Sequence, residues 1–135
     1  MTPENAKDKR ASSALKIEGV NGLKVRDLAV KWNEDQTEEK WESALVLKNV
    51  SDFVVDSFSG RQGLKNGNAP AILMNNVSDG VVRESRASVD TNVFIHLEGS
   101  GSQDIALRNN DVKNAKKTIT YGDKALTKAV TTSDK

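Results

Sequence analysis

The chain has 135 residues, 20 basic and 19 acidic, for a net charge of +1. One domain is the expected organisation at this length, and the even charge balance excludes both a basic nucleic-acid grip and an acidic tail. There is no cysteine and only one histidine, which removes disulfides, thiol catalysis, Cys-ligated zinc and His-rich metal sites; no metal and no other cofactor is expected.

Residues 1–12 are polar and read as a flexible segment. The opening stretch MTPENAKDKRASS has charges but no apolar run, so no signal peptide is expected in this chain. Nowhere do apolar residues approach the roughly 18 in succession that a membrane span needs; neither a membrane nor a nucleic acid is an expected partner.

From residue 13 to 121 the chain repeats itself. Residues 14–25 (ALKIEGVNGLKV), 44–55 (ALVLKNVSDFVV) and 71–82 (AILMNNVSDGVV) align without a gap. A fourth copy runs FIHLEG at 94–99, takes two extra residues, and resumes as DIAL at 104–107. A fifth, degraded copy is read at 118–121 (TITY). Within each copy the first strand alternates. Leu15/Ile17, Leu45/Leu47, Ile72/Met74 and Ile95/Leu97 point one way, and Lys16, Val46, Leu73 and His96 the other. Alternation of period two is a strand signal. A second strand puts Leu23/Val25, Phe53/Val55, Val82 and Ile105/Leu107 on one face. Between the two sits Gly19, Asn49, Asn76 or Gly99, residues that tolerate left-handed backbone.

Short strands, tight turns and repeat starts at 14, 44, 71 and 94 predict an all-β parallel β-helix, a solenoid of about four or five coils whose core is continuous only when coils stack. A β-sandwich also uses many short strands, but it does not require the apolar pattern to recur in register. Stacking predicts an Asn49–Asn76 amide ladder with purely structural duty, and Val20, Val50 and Val77 filling the corner beneath it. Residues 122–135 are expected to cap the last coil and then fray. The N-terminal segment has no apolar stripe to cover Leu15, Ile17, Leu23, Val25 and Leu28. An open first coil is therefore expected, which self-association or preceding coils would close.

Other stretches carry weaker signals. The loop 32–41 (WNEDQTEEKW) pairs Trp32 and Trp41 with carboxylates, a composition that suits sugar stacking, or else a loop whose tryptophans pack on the coil. Its acids Glu34, Asp35, Glu38 and Glu39 lack the calcium-loop spacing with a central Gly, so they read as a solvated charge run. The stretch 60–68 (GRQGLKNGN) has no phosphate-loop spacing and reads as a turn between coils. Sequons at 49–51 and 76–78 fall in tight turns and are incidental.

The stretches 14–30, 44–58 and above all 94–112 (FIHLEGSGSQDIALRNNDV) resemble the right-handed parallel β-helix of pectin-active enzymes. Over about residues 13–117 the chain is most similar to the last coils of glycoside hydrolase family 28, the polygalacturonase and rhamnogalacturonase group. The resemblance implies a pectin-lyase-like fold, an extracellular or periplasmic setting, and either a plant-type polysaccharide or preceding β-helix coils as partner. It also implies that the outer face of the first strand lines a substrate groove, which places His96, Glu98, Lys48 and Asn75 along it. That family cleaves with two carboxylates, carried on Asn-Thr-Asp, Asp-Asp, Gly-His-Gly and Arg-Ile-Lys motifs. None is here: Asp90-Thr91-Asn92 runs in the reverse order, His96 is flanked by Ile95 and Leu97, and Arg26, Arg83 and Arg108 are not followed by Ile-Lys. No catalytic residue is therefore carried over. Two functions remain: a non-catalytic segment completing a polysaccharide-degrading solenoid, or a stand-alone binding or structural module that forms a homo-oligomer through its open N-terminal coil.

Overall fold

The computed structural model describes residues 13–34, 41–65 and 67–133. In chain order the strands are β1 (Leu15–Glu18), β2 (Asn21–Arg26), β3 (Leu45–Asp56), β4 (Ser59–Gly60), β5 (Pro70–Arg83), β6 (Arg86–Ala87), β7 (Thr91–Glu98), β8 (Gln103–Arg108), β9 (Ala115–Tyr121) and β10 (Val130–Ser133), with a 3-10 helix at Lys124–Ala129. They stack as a parallel β-helix of about four turns.

Each coil has three faces. On the first, β1, the start of β3, the start of β5, β7 and β9 lie side by side, so that Leu15, Leu45, Ile72, Ile95 and Ile119 share one register position. On the second, β2, the end of β3, the end of β5, β8 and β10 stack likewise, with Val25, Val55, Val82, Leu107 and Thr132 in line. A third, narrow face pairs β4 with β6 and is extended by single bridges from Ala29 to Ser59 and from Arg86 to Asp111. Two repeat strands per coil were expected. In the second and third coils they are halves of one long strand, and the third face is an addition.

The corners explain this shape. Gly19, Asn49, Asn76 and Gly99 all have positive φ, as do Gly22, Asp52, Asp79 and Asp104, and again Asp27, Ser57, Glu84 and Asn109. Each column supplies one left-handed bend per coil. Gly, Asn and Asp accept that conformation at least cost, which is why the first two columns carry them. Ser57 and Glu84 have no such preference. Their bend is held by the ladder itself, where Ser57 N–H donates to Arg83 O and Glu84 N–H to Arg108 O, both at 3.1 Å.

The inward alternation fills the interior as expected. Leu45, Leu47, Ile72, Met74, Ile95 and Leu97 are fully buried, as are Val50, Val77 and Val55 to within 1%. Each such side chain contributes about 1.5–3 kcal/mol by leaving water. Phe53 sits where Gly80 lies one coil above. A Cβ on Gly80 would stand 2.1 Å from two ring carbons of Phe53, so the absence of a side chain there is what admits the ring. At the junction of the third and first faces, Phe58 and Phe94 pack with ring centroids 6.1 Å apart.

One expectation is corrected. The Asn49–Asn76 pair does stack in register, but no amide ladder joins the two among the described residues. Both side chains project outward from left-handed corners, and Asn76 Oδ1 instead accepts from the Gly101 N–H at 3.2 Å, because the two-residue insertion in the next coil brings that backbone over it. After residue 121 the chain turns into the 3-10 helix and then β10. Asp123 caps the 3-10 helix, accepting from Ala125 N–H at 2.9 Å. Leu126 is buried, Val130 packs against the core, and β10 continues the second face on β8. Residues 1–12 lie outside the described residues. In the first coil Leu15, Ile17, Leu23 and Leu28 are only half-buried, whereas their counterparts Leu45, Leu47 and Phe53 are buried.

Candidate functional site

The alternation that buries one set of residues on the first face turns the other set outward. Register places Glu18, Lys48, Asn75 and Glu98 in one outer column, one per coil, at about 4.8 Å intervals. The neighbouring column is Lys16, Val46, Leu73, His96 and Thr120. The four residues expected along a groove, His96, Glu98, Lys48 and Asn75, therefore do share one outer surface.

Three of them are joined. Asn75 Nδ2 donates to Glu98 Oε2 at 3.0 Å. His96 Nε2 stands 3.2 Å from Glu98 Oε1, and His96 Nδ1 is 2.7 Å from Thr120 Oγ1. With the proton on Nε2 donated to the carboxylate, Nδ1 accepts the threonine hydroxyl. The relay Asn75–Glu98–His96–Thr120 fixes the orientation of each polar head and spans three coils. Thr120 was not singled out from the sequence. Its place in the degraded copy at 118–121 carried no signal until β9 was seen to sit on β7. Each carboxylate oxygen of Glu98 keeps acceptor capacity beyond its one protein partner.

The row does not form a glycosidase pair. Its carboxylates, Glu18 and Glu98, are three coils apart, roughly 14 Å at strand spacing. That exceeds the 6.5–9.5 Å that an inverting pair spans. Among the described residues no group of three or more His, Cys, Asp or Glu is placed to hold a metal ion. No helix among them is long and apolar enough to cross a membrane.

The tryptophans are not part of this surface. Trp32 and Trp41 are 7% and 4% exposed, and their rings pack on each other at 5.0 Å. Trp32 Nε1 donates to Arg61 O at 2.9 Å. A Cβ on Gly63 would meet Trp41 Cβ at 2.3 Å. Their expected role as sugar platforms is corrected: the loop folds its aromatic ends onto the coil, where the rings cover apolar surface, and leaves no ring face open to stack on a sugar. Beside them the buried Gln62 amide donates to Leu64 O at 2.9 Å and Asp90 O at 2.8 Å and accepts from Asn92 N–H at 3.0 Å. The glycine-rich turn is thus tied to the next coil. Of the loop acids, Glu34 pairs with Lys65, whose hydrogen bond and charge hold its carboxyl below the usual range. Asp35, Glu38 and Glu39 lie outside the described residues.

Against family models, curated proteins and solved structures, the chain finds no match in any of the three comparisons.

Proposed function

We propose that this chain is a non-catalytic β-helix segment of a polysaccharide-degrading, pectin-type glycoside hydrolase, which completes the solenoid and contacts polymer along its outer first face. The observation that carries the reading is the ordered polar row Lys48–Asn75–Glu98–His96. It repeats at coil spacing, has the heads of Asn75, Glu98 and His96 fixed by mutual hydrogen bonds, and lies beside the half-buried Leu73. Polar groups that meet hydroxyls, next to an apolar strip that meets the C–H face, are what a sugar chain requires. An extended polymer lies naturally across parallel coils. The reading implies an extracellular or periplasmic setting.

The test is an NMR titration of the purified chain with short pectic oligosaccharides, acidic and neutral. Amide shifts concentrated on the strands of the first face are expected, and they should weaken in the Lys48→Ala, Asn75→Ala double variant. If no oligosaccharide of either kind perturbs that face at millimolar concentration, the reading fails.

The half-burial of Leu15, Ile17, Leu23 and Leu28 favours a second reading, in which a stand-alone module self-associates through its first coil. Sedimentation at micromolar concentration separates the two, since a monomer that binds oligosaccharide excludes self-association as the chain's function.

A further inference from the structure

The insertion that lengthens the first corner of the fourth coil also shapes its surroundings. Between that corner and the start of the 3-10 helix lies a cleft of about 520 Å³, lined by Glu98, Ser100, Ser102 and Asp123 together with Ala125 and Leu126. The volume lies within the range of small-ligand sites, about 300–1,000 Å³. Glu98 belongs both to this cleft and to the outer row, so the row runs into it.

The chemistry of the lining is one-sided. Two acidic residues, Glu98 and Asp123, line the cleft, and neither lysine nor arginine does; Lys124, next to Asp123 in the chain, is not part of the lining. Ser102 is committed to the fold, with its hydroxyl donating to Glu98 O at 2.9 Å and accepting from Val77 N–H at 3.1 Å. Ser100 is exposed. Glu98 is held by His96 and Asn75 but retains acceptor capacity, and Asp123 uses Oδ1 for its helix cap. The cleft thus offers fixed carboxylate acceptors, a free-standing hydroxyl and a small apolar patch.

We propose that this cleft is a subsite for an uncharged sugar residue and that it discriminates against a uronate. The proposal rests on the carbohydrate reading above and narrows it: the outer row carries the cation Lys48 next to Glu18 and ends in an acidic pocket, so one polymer meets a cation and, two coils on, an acidic cleft. Hydroxyl groups donate to carboxylates through strong, charge-assisted bonds. A uronate carboxylate in the same place adds a third negative charge at close range, which at low salt corresponds to about a tenfold or greater loss of affinity.

The test uses trigalacturonate and its fully methyl-esterified form, which differ at each C6 in charge and by one methyl group, the charge part being the one that salt screens. In amide-detected NMR titrations the ester should shift Ser100, Ser102, Gly122 and Asp123 and bind there at least about tenfold more tightly than the acid, with the gap closing as salt is raised. The gap should also close in the Glu98→Gln, Asp123→Asn double variant. It should close again in Ser100→Arg, which changes only an exposed corner residue and so avoids any folding defect of the double variant. Equal binding of acid and ester at the cleft overturns the proposal, as does a gap that survives in Ser100→Arg. Shifts on the Lys48 and Asn75 strands without shifts at the cleft overturn the subsite and leave the polysaccharide reading standing. Silence everywhere removes both.

Discussion

Replacing Gly80 with alanine tests the central packing device of the second face. The added Cβ would lie 2.1 Å from Cε1 and Cζ of Phe53 and 2.5 Å from Cδ1, against an ordinary carbon contact of about 3.5–4.0 Å. The ring must retreat by roughly 1.5 Å, yet it is 2% exposed and enclosed by the stacked coils. Overpacking of this kind costs about 1–3 kcal/mol. Removing glycine's extra unfolded freedom offsets about 0.5–1 kcal/mol of that. The net loss of about 0.5–2 kcal/mol corresponds to a Tm lower by about 2–7 °C in a domain of this size. Phe53→Leu alone should also destabilise, by leaving a void. Combined with Gly80→Ala it should recover stability, because the smaller side chain vacates the space the methyl needs. Thermal and urea denaturation followed by circular dichroism would measure all three variants, and the double variant should exceed the additive expectation by at least about 1 kcal/mol. An unchanged or raised Tm for Gly80→Ala, or simple additivity, would refute the assignment of Gly80 as the space for that ring.

Other outcomes follow from the same structure. Trp32→Phe should cost about 1–3 kcal/mol, since it leaves the buried Arg61 carbonyl without its donor, and the fluorescence of the wild-type tryptophans should resist acrylamide quenching. The Ser57 hydroxyl and then Arg83 hold the Asp56 carboxyl below its usual range. Its contribution is therefore present above the unfolded carboxylate value and is lost as pH falls through the lower folded one. Asp56→Asn should flatten the acid limb of stability against pH, measured as the denaturation midpoint from pH 6 to pH 2. Burial pushes the Tyr121 phenol upward. Its contribution is present below the unfolded phenol value and is lost as pH rises beyond about 10, so Tyr121→Phe should hold its midpoint further into alkali than the wild type.

Much of the solenoid was legible in the sequence because its signals are local and repeated. Leu45/Leu47, Ile72/Met74 and Ile95/Leu97 announce one face by alternation, and Asn49, Asn76 and Gly99 announce its corner by backbone tolerance. The third face left no such mark. β4 and β6 are two residues each, too short for any period. Their corner is enforced on Ser57 and Glu84 by hydrogen bonds to the coil above, a cause that exists only after stacking. Gly80 looked like a gap in the apolar column because the atoms that fill it belong to Phe53, in another coil. At the surface, the sequence placed His96, Glu98, Lys48 and Asn75 on one side of a strand. It did not reveal Thr120, since the bond to His96 depends on a weak fifth repeat, nor the cleft, which depends on the 3-10 helix returning beside the Gly99 corner.

The left-handed corners also set where this architecture can change length. From the second corner to the third the interval is five residues in every coil, at 22 and 27, 52 and 57, 79 and 84, and 104 and 109. From the first to the second it is three, at 19 and 22, 49 and 52, and 76 and 79, until the insertion at 99–104 widens it. The stretch from the third corner to the next first corner shortens from one coil to the next, running from 27 to 49, from 57 to 76, and from 84 to 99. A residue added within the five-residue arm would turn every later side chain of that strand inside out. A residue added between the third face and the next first-face strand, as at 61–69 or 88–90, merely enlarges a loop. Variation is thus channelled to one edge of the cylinder and to one corner. Descendants of such a chain can acquire new surface there, by insertion, without renegotiating the interior that holds the coils together.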